Sequence, residues 1–484
     1  MQQSGPAWII SALLCLVLLG YAAFNVEMKM VSHLTPSIAS IEPSHALRTS
    51  KQQNEKPTLN YAVDPKHNVH LVSTDSCEQD LRQLMSAALQ LSLVRVGHKG
   101  PLTEIITGCT TAQKEAIAKL PTFYADYRVH FTPDFAWQTL DNGVRQHYYP
   151  YNKPFGLAHF LQHGQPKDDL AVALIDIDYF LLQPLEVNRG ANWTRFYQVS
   201  SQSLRDPSTI TDTVSKGIAI AQNMKAFLGG VWWNDRNSTV KDIVCKDKPC
   251  ALVSNDEAME YFEPSGTPYI LTRSDMERVV VDYAEFTRKG RTLEDKWMVE
   301  MSAWGAAVAN QNVKQTLVTH LGGATCAYKD TEYWDFLPND IANPCEDDET
   351  MVLPRDGPVG IHYAMYYGGD QDPVKSGFAF YKYRIPKDIT DCNSMLLAVP
   401  PPSEWTKATE KAARHGVWLE CTAIKLLNHA LLAIKRRTCL QGFNSFRGLM
   451  LRADINYMTG FPTEGNMDLF HNVQRSMTSA APPA

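Results

Sequence analysis

The chain has 484 residues, of which 44% are hydrophobic and 20% charged, and its formal net charge is −6. This composition fits a globular protein of one to three domains. Because the balance is acidic and basic residues cluster only in short runs such as Lys435–Arg437, the sequence argues against a nucleic-acid-binding protein.

The N-terminal segment predicts a membrane anchor. Residues 7–26 contain no charge and are long enough to span a bilayer, whereas a cleaved signal peptide has a shorter apolar core and a basic start. We therefore predict a cytoplasmic tail over residues 1–6, an uncleaved signal anchor over 7–26 and a lumenal remainder, which makes a single-pass type II protein. A cleaved, secreted form is the alternative. The polar residues 27–66 are predicted to form a stem.

Cysteine usage points to an oxidising compartment. Nine cysteines follow the apolar segment and none forms a CxxC pair, which argues against a zinc knuckle. The spacing of Cys245 with Cys250, and of Cys326 with Cys345, would suit short disulfide-closed loops, and the odd number leaves at least one thiol free or intermolecular. Two glycosylation sequons begin at Asn192 and Asn237.

The first part of the globular region has the pattern of an α/β sheet. We predict a strand over Val69–Val72, a turn and helix cap over Ser73–Ser76, and then a helix with one apolar face. Residues 102–108 and 123–131 are predicted to form the next two strands.

A lysine then stands at a predicted helix start. Asn152 suits the cap and Pro154 the first turn, so Lys153 lies where backbone N–H groups favour an anion. It is interpreted either as a phosphate contact or as an ordinary solvated lysine.

Two carboxylates follow the next strand. The apolar run Ala171–Ile175 suits a buried parallel strand, and Asp176 and Asp178 come directly after it. Ligands of open α/β sheets gather at the carboxyl ends of strands, where two acids can share a divalent cation. The alternative is a polar turn, in which Asp is common.

The next part of the chain contains a glycine pair and a predicted strand–helix unit. Gly229 and Gly230, beside Trp232 and Trp233, suggest tight backbone approach next to an aromatic floor, although such a pair also marks simple turns. Residues 265–280 are predicted to form a short strand and then a helix capped by Ser274.

Residues 292–309 are predicted to form one helix with an apolar stripe that includes Trp297 and Met301. Glu300 lies beside that stripe, so it is expected to be desolvated with a raised pKa, or paired, unless it reaches solvent.

The last candidates come from the C-terminal third. His362 follows a predicted strand over 358–361 and is either a ligand or a structural histidine, and Lys382 lies between aromatic residues. Beyond Pro400–Pro402 we predict a long amphipathic packing helix rather than a second membrane span, and from residue 473 a disordered tail.

If Asp176, Asp178 and His362 meet around one cation, their oxygen and imidazole ligands select Mn²⁺ or Mg²⁺. Lys153 and Lys382 would add positive charge. Such a site can stabilise a leaving nucleoside diphosphate, which is what transfer from a nucleotide sugar requires.

Several segments, in this order along residues 68–440, resemble a known family. They are YPYNKPFGLAHFL, LIDIDYFLLQPL, KGIAIAQ, SGTPYI, WMVEM, GIHY, FYKYRIP and WLECTAIKLLNHALL. Together they resemble the GT-A glycosyltransferases with a DxD motif. More narrowly, they are similar to the peptidyl hydroxyproline O-arabinosyltransferases and the related peptidyl serine α-galactosyltransferases.

The resemblance implies an α/β fold: a GT-A-like mixed, mostly parallel sheet flanked by helices over residues 67–397. An N-terminal transmembrane helix would precede it, and a C-terminal helical extension over 398–472 would follow. It also implies roles for individual residues. They are Asp176, Asp178 and His362 for Mn²⁺ (or Mg²⁺); Lys153, Lys382 and Asp176 for the diphosphate; Thr74 and Asp75 for uridine and ribose; Gln222, Gly229 and Gly230 for the border of the sugar and acceptor pocket; and Glu300 for the donor sugar or the acceptor hydroxyl.

The activity so implied is a retaining transfer of arabinose or galactose from a UDP-sugar to hydroxyproline or serine of a protein acceptor, in the Golgi or ER membrane. The first alternative is a catalytically inactive lumenal scaffold with the same fold. The second, a metal-dependent phosphoesterase, would need more clustered His and Asp than the sequence offers.

Overall fold

The computed structural model describes residues 67–164, 166, 170–197, 204–225, 232–233, 239–324, 333–338, 340–346, 351, 353–354, 356–368 and 378–451. The chain divides into two units, 1–62 and 63–484, and all described residues belong to the second. The predicted tail, anchor and stem (1–66), Gly229, Gly230, Asn237 and the C-terminal tail lie outside the described residues.

The centre of the second unit is a seven-stranded sheet with the order β10-β8-β9-β6-β1-β2-β3. Every neighbouring pair is parallel except the two that involve β9, which runs antiparallel to β6 and β8. The strands are β1 (Val69–Ser76), β2 (Leu102–Thr107), β3 (Tyr127–Thr132), β6 (Ala171–Asp176), β8 (Ile218–Asn223), β9 (Ser265–Thr272) and β10 (Lys314–Val318). The predicted mixed, mostly parallel sheet is therefore confirmed.

Helices cover both faces of this sheet. They are α1 (Arg82–Val96), α2 (Thr111–Ala118), α3 (Asn152–His163), α4 (Val240–Val244), α5 (Asn255–Tyr261), α6 (Arg273–Leu293), α7 (Val299–Asn310), α8 (Pro402–Lys407) and α9 (Lys411–Thr438). Alternate residues of β6 divide between two cores: Ala173 and Ile175 face the core of α1 and α9, while Val172 and Leu174 face the core of α3, α6 and α7. This burial on both faces explains why β6 is almost continuously apolar.

Two small antiparallel sheets complete the fold. β7 (Tyr179–Leu181) pairs with β11 (Gly360–His362), and β4 (Trp137–Thr139) pairs with β5 (Arg145–His147). β7 begins three residues after the end of β6. The β7–β11 sheet therefore starts directly after the candidate metal ligands Asp176 and Asp178 in the chain.

Several element boundaries differ from the prediction. β1 runs to Ser76, so the predicted turn at Ser73–Ser76 is strand. The cap of α6 is Thr272, whose Oγ1 accepts the Asp275 N–H, and not Ser274. Asn152 is the first residue of α3 rather than its cap. Its Oδ1 accepts the Phe135 N–H instead, because that loop passes beside the helix start.

The predicted helix over 292–309 is two helices. α6 ends at Leu293 and α7 begins at Val299. Two side chains bind the segment between the helices. Arg291 donates to the backbone carbonyl of Lys296 at 3.1 Å, and the indole N–H of Trp232 donates to the side-chain Oε1 of Glu294 at 2.8 Å. Trp232 and Trp233 are buried in the core of α3, α6 and α7, so they form no floor of the cleft described below.

Four disulfides join the described cysteines: Cys77–Cys109, Cys245–Cys250, Cys345–Cys421 and Cys392–Cys439. The predicted Cys245–Cys250 loop is confirmed. The predicted pairing of Cys326 with Cys345 is wrong, because Cys345 lies against α9 and bonds Cys421. Cys326 is outside the described residues.

Among the described helices, α9 alone is long and apolar enough to cross a membrane. It packs against α1, and 83% of its most apolar window is buried inside the protein. This is the packing helix expected from the sequence.

Candidate active site

The candidate site lies where the chain changes direction across the sheet. β1, β2 and β3 follow one another to one side, and the chain then returns to place β6 on the other side of β1. Thr74 at the end of β1 is in register with Asp176 at the end of β6. Ligands of open α/β sheets bind at such a switch point, beyond the carboxyl ends of the strands.

The small β7–β11 sheet brings His362 to the two acids. His362 pairs with Tyr179, the residue after Asp178, and the next backbone N–H, that of Tyr363, donates to the carbonyl of Asp178 at 3.1 Å. His362 Nε2 consequently lies 3.3 Å from Asp178 Oδ1 and 3.5 Å from Asp176 Oδ2.

Each acid also binds a lysine through its other oxygen. Lys153, in the first turn of α3, lies with Nζ 2.8 Å from Asp176 Oδ1. Lys382, the first residue of a short 3-10 helix (Lys382–Arg384), binds Asp178 Oδ2. Thr267 Oγ1 donates to Asp176 Oδ2 at 2.8 Å, because antiparallel β9 begins where β6 ends.

Charge pairing dominates the ionisation of this cluster. Burial alone would raise the pKa of Asp178, but the charges of Lys382 and His362 hold it well below its ordinary value. Burial likewise opposes ionisation of Asp176, and Lys153 and His362 lower its pKa. Burial would lower the pKa of His362, yet the two acids raise it. Two carboxylates and two ammonium groups therefore stay charged here.

Glu300 lies beside Lys153, as the second residue of α7. Its Oε1 is 3.6 Å from Lys153 Nζ, and only 6% of its side chain is exposed. Burial raises the pKa of Glu300 to about 7, against the charge of Lys153 and with that of Asp176. The buried, raised-pKa carboxyl expected from the sequence is thus present.

Tyr148 fixes the start of α7. Its fully buried hydroxyl donates to the carbonyl of Trp297 and accepts the backbone N–H of Glu300 at 3.2 Å. The guanidinium of Arg291 lies 4.3 Å above the centre of the Tyr148 ring.

Three buried polar atoms of the cleft-lining residues have no hydrogen-bond partner among the described residues: Asp75 Oδ2, Asn152 Nδ2 and Glu300 Oε1. Asp75 Oδ1 accepts the N–H of Ser76 at 2.8 Å. Burial, and then the charge of Glu104, raises the pKa of Asp75 well above its usual range, which favours the protonated carboxyl. Unsatisfied buried groups are uncommon in native structures, and a polar ligand would supply partners here: a hydroxyl for Asp75 and an acceptor for Asn152.

These side chains line one cleft of about 270 Å³. Eight of the predicted site residues lie in it: Thr74, Asp75, Lys153, Asp176, Asp178, Glu300, His362 and Lys382. Gln222 is not among the described lining residues. It is completely buried, its Oε1 accepts the Gly322 N–H at 2.8 Å, and its Nε2 donates to the carbonyl of Asn223.

The acids and the histidine do not form a ready-made metal site. In the described part of the chain, no group of three or more His, Cys, Asp and Glu has the arrangement needed to hold a metal ion. The donor types of Asp176, Asp178 and His362 nevertheless suit Mn²⁺ or Mg²⁺. Ligands around such an ion are about 3 Å apart, so the observed separations of 3.3 and 3.5 Å fit after a small adjustment.

The sequence does not identify several residues of the cleft. Its pattern predicts that Asn152 caps a helix, and Thr267 stands out only as part of the SGTPYI segment. Four methionines line the side of the cleft near α7: Met224, Met298, Met301 and Met365. Two of them stand in the WMVEM segment, whose apolar spacing predicted core packing instead.

No family model and no curated protein matches the chain. Among solved structures it is similar to the apo structure of the WbbM bifunctional glycosyltransferase, at 13% identity and a TM-score of 0.35. The match covers 63% of this chain and 47% of the other, so the chain spans about half the length of that structure. A similarity this low supports no statement about function, and the proposal below rests on the cleft.

Proposed function

We propose that this protein is a glycosyltransferase that takes its sugar from a nucleoside diphosphate sugar, with a UDP-sugar as the donor. One observation carries the proposal: two lysines and a histidine converge on two carboxylates at the switch point of the sheet, in a cleft with unpaired buried polar atoms. This is a suitable environment for an anion flanked by polar groups.

The order of the strands divides the cleft among the parts of a donor. Asp75 is the second-last residue of β1, Asp176 ends β6, Thr267 is the third residue of β9 and Met224 follows β8. These four strands are neighbours, so the line across them covers three strand spacings, about 14 Å. We assign the nucleoside to the β1 end, the diphosphate to β6, and the sugar with its acceptor to β9 and β8.

At the nucleoside end, Asp75 Oδ2 would form a hydrogen bond with a hydroxyl of the ribose, which would supply its missing partner. Tyr149 lies beside it and donates to Ser76 Oγ at 3.0 Å, so its ring is positioned next to the base. Lys153, Lys382 and the unpaired N–H of Asn152 would bind the diphosphate oxygens.

The resemblance also implies a metal ion, and we propose that Asp176, Asp178 and His362 hold Mn²⁺ or Mg²⁺. When bound, the ion would offset charge on the leaving diphosphate. Each acid has one oxygen directed toward His362 and the other toward a lysine. The acids could therefore bind a metal ion beside His362 while they remain paired with the lysines.

In the transfer, the acceptor oxygen bonds to the anomeric carbon while the bond from that carbon to the diphosphate oxygen breaks. The nucleoside diphosphate leaves with the electron pair, and the hydroxyl proton passes to one of its oxygens. Because the acceptor oxygen approaches from the same face of the sugar that the diphosphate leaves, this course retains the anomeric configuration, as the resemblance implies. We assign the Glu300 carboxylate the task of stabilising the positive charge that develops on the sugar ring.

The finer points of the proposal rest on the resemblance alone. They are an arabinose or galactose donor, a hydroxyproline- or serine-rich protein acceptor, and a single-pass type II protein of the Golgi or ER membrane with its active site in the lumen. The four disulfides are compatible with such an oxidising compartment.

A donor screen tests the proposal. The full chain in detergent is incubated with Mn²⁺ and individual UDP-sugars, with and without hydroxyproline- or serine-rich peptides, and nucleotide release is measured. We expect release with at least one donor, and a loss of roughly 100-fold in Asp178→Asn. Asp126→Asn, which alters an exposed acid paired with Arg128, is the matched control and should retain activity. If no UDP-sugar yields release, the inactive scaffold is favoured instead.

A further inference from the structure

The side of the cleft farthest from Asp75 is lined by sulfur-containing side chains. Met224 follows β8, Met298 and Met301 stand at the start of α7, and Met365 lies on the loop after β11. We refer to these four residues as the methionine wall. Met298, Met301 and Met365 pack, together with Met259, against a small buried cluster formed by Met224 and Ala324.

The fold makes specific room for this wall. Gly266 on β9 pairs with Gln222 at a register shift between β8 and β9. A Cβ at Gly266 would lie 2.1 Å from Met224 Cγ and 3.2 Å from Met301 Cε. Only glycine at this position therefore allows the two methionines to lie against the sheet.

The wall offers few groups for hydrogen bonding. The four methionines carry only thioether groups, and the lining residues next to them on β9 and at the start of α7 add three polar side chains, Thr267, Glu300 and the indole of Trp297. Thr267 already donates to Asp176. A saccharide acceptor with several hydroxyl groups would lose hydrogen bonds to water here without replacing them. Methionine side chains instead adapt their shape to apolar rings and chains.

We propose that the methionine wall is the acceptor subsite, and that it selects a hydroxyl carried on an apolar ring or alkyl segment. The apolar carbons pack on Met301 and Met365, which directs the hydroxyl toward the donor sugar beside Glu300. This inference rests on the proposed function, because it assigns the diphosphate to Asp176 and the sugar to the space next to it.

The test compares transfer with donor hydrolysis in the same protein. The full chain is supplied with the UDP-sugar that it hydrolyses fastest and with one of three acceptors: N-acetyl-4-hydroxyproline amide, N-acetylserine amide or methyl β-galactoside. Transfer to the acceptor and release of sugar to water are both measured. We expect the largest ratio of transfer to hydrolysis with the first acceptor, whose hydroxyl is on an apolar ring, and the smallest with the galactoside.

Substitutions in the methionine wall test whether it causes this acceptor preference. Met301→Gln keeps the length of the side chain but makes it polar, and we expect the ratio of transfer to hydrolysis for the ring acceptor to fall about tenfold. Met301→Leu, which stays apolar, should recover most of the ratio. Met450→Gln changes a methionine outside the cleft that is 37% exposed, and it should match the parent protein.

The outcomes separate the two proposals. If no UDP-sugar is hydrolysed or transferred, the glycosyltransferase function is wrong and the acceptor subsite falls with it. If donor hydrolysis occurs but the galactoside is the best acceptor, or Met301→Gln leaves the ratio unchanged, the function stands and the acceptor subsite is wrong.

Discussion

Glu300 is the residue whose ionisation bears most directly on turnover. Its carboxyl is buried, which raises the pKa, and the charge of Asp176 raises it further, while Lys153 lowers it. The balance at about 7 means that the carboxylate is the minor form below neutral pH and the major form above it.

We expect kcat at saturating donor to increase with pH through about 7, because the proposed role requires the carboxylate form. Glu300→Gln should lower kcat roughly 100-fold and remove this rise. The measurement is a pH profile from 5.5 to 8.5 at fixed ionic strength. The same inflection in parent and variant would assign the titration to another group.

At the level of single residues, the sequence predicted the polar end of the cleft well. Asp75 and Asp176 stand at the ends of apolar parallel strands, and the carboxyl ends of parallel strands meet at one edge whatever the order of the sheet. The prediction that Gln222 borders the pocket failed for a reason that local sequence does not show. The β-bulge between Ala221 and Gln222 and the deep burial of its amide depend on β9, which joins the sheet from more than forty residues later in the chain.

Among the elements, the junction between α6 and α7 shapes the sugar end of the cleft. If the helix were continuous, Trp297 and Met298 would lie inside it. The break instead presents them to the cleft and places Glu300 in the first turn of α7. The sequence concealed this break, because residues 294–298 contain neither Gly nor Pro and the apolar spacing continues through them.

Tyr148 is expected to hold this junction in place. In Tyr148→Phe the backbone groups of Trp297 and Glu300 lose their hydroxyl partner. We predict about a tenfold fall in kcat, with a smaller change in the KM for the donor, because the diphosphate contacts are made elsewhere.

The neighbouring Tyr151 provides a matched control. It is also fully buried, but its hydroxyl donates to Gln146 Oε1 at 3.2 Å and not to the residues at the start of α7. Tyr151→Phe should keep kcat within about twofold, a size of effect usual for a change away from the reacting groups. Equal effects of the two substitutions, measured by steady-state kinetics, would contradict the positioning role of Tyr148.

For the molecule as a whole, the class of fold followed from local pattern, but the assembly of the site did not. Strands and helices alternate with clear apolar periods, which predicts an α/β sheet. The site, however, joins residues from Asp75 to Lys382, and the bond from Lys382 to Asp178 spans 204 positions. The placement of His362 beside the acids likewise depends on the pairing of β7 with β11, two strands of three residues each that carry little sequence signal.

Long-range covalent links were equally hard to predict. Cys345 bonds Cys421 on α9 across 76 positions, whereas spacing favoured the nearby Cys326. Loop spacing identifies a disulfide only when both cysteines lie in one local turn, as they do in Cys245–Cys250.

The proposed function requires that the cleft bind the nucleoside diphosphate of a sugar donor. Calorimetric titration of the full chain with UDP and Mn²⁺ tests it most directly, because it needs neither the correct sugar nor the acceptor. Lys382→Met removes a charge from the cleft, and Lys387→Met removes one from a side chain that is 73% exposed at the surface. We predict one UDP site, weakened 10- to 100-fold (about 1.5–3 kcal/mol) by Lys382→Met and weakened by EDTA, with no change in Lys387→Met. No binding of UDP by the parent protein, or equal affinity in both lysine variants, would contradict the account.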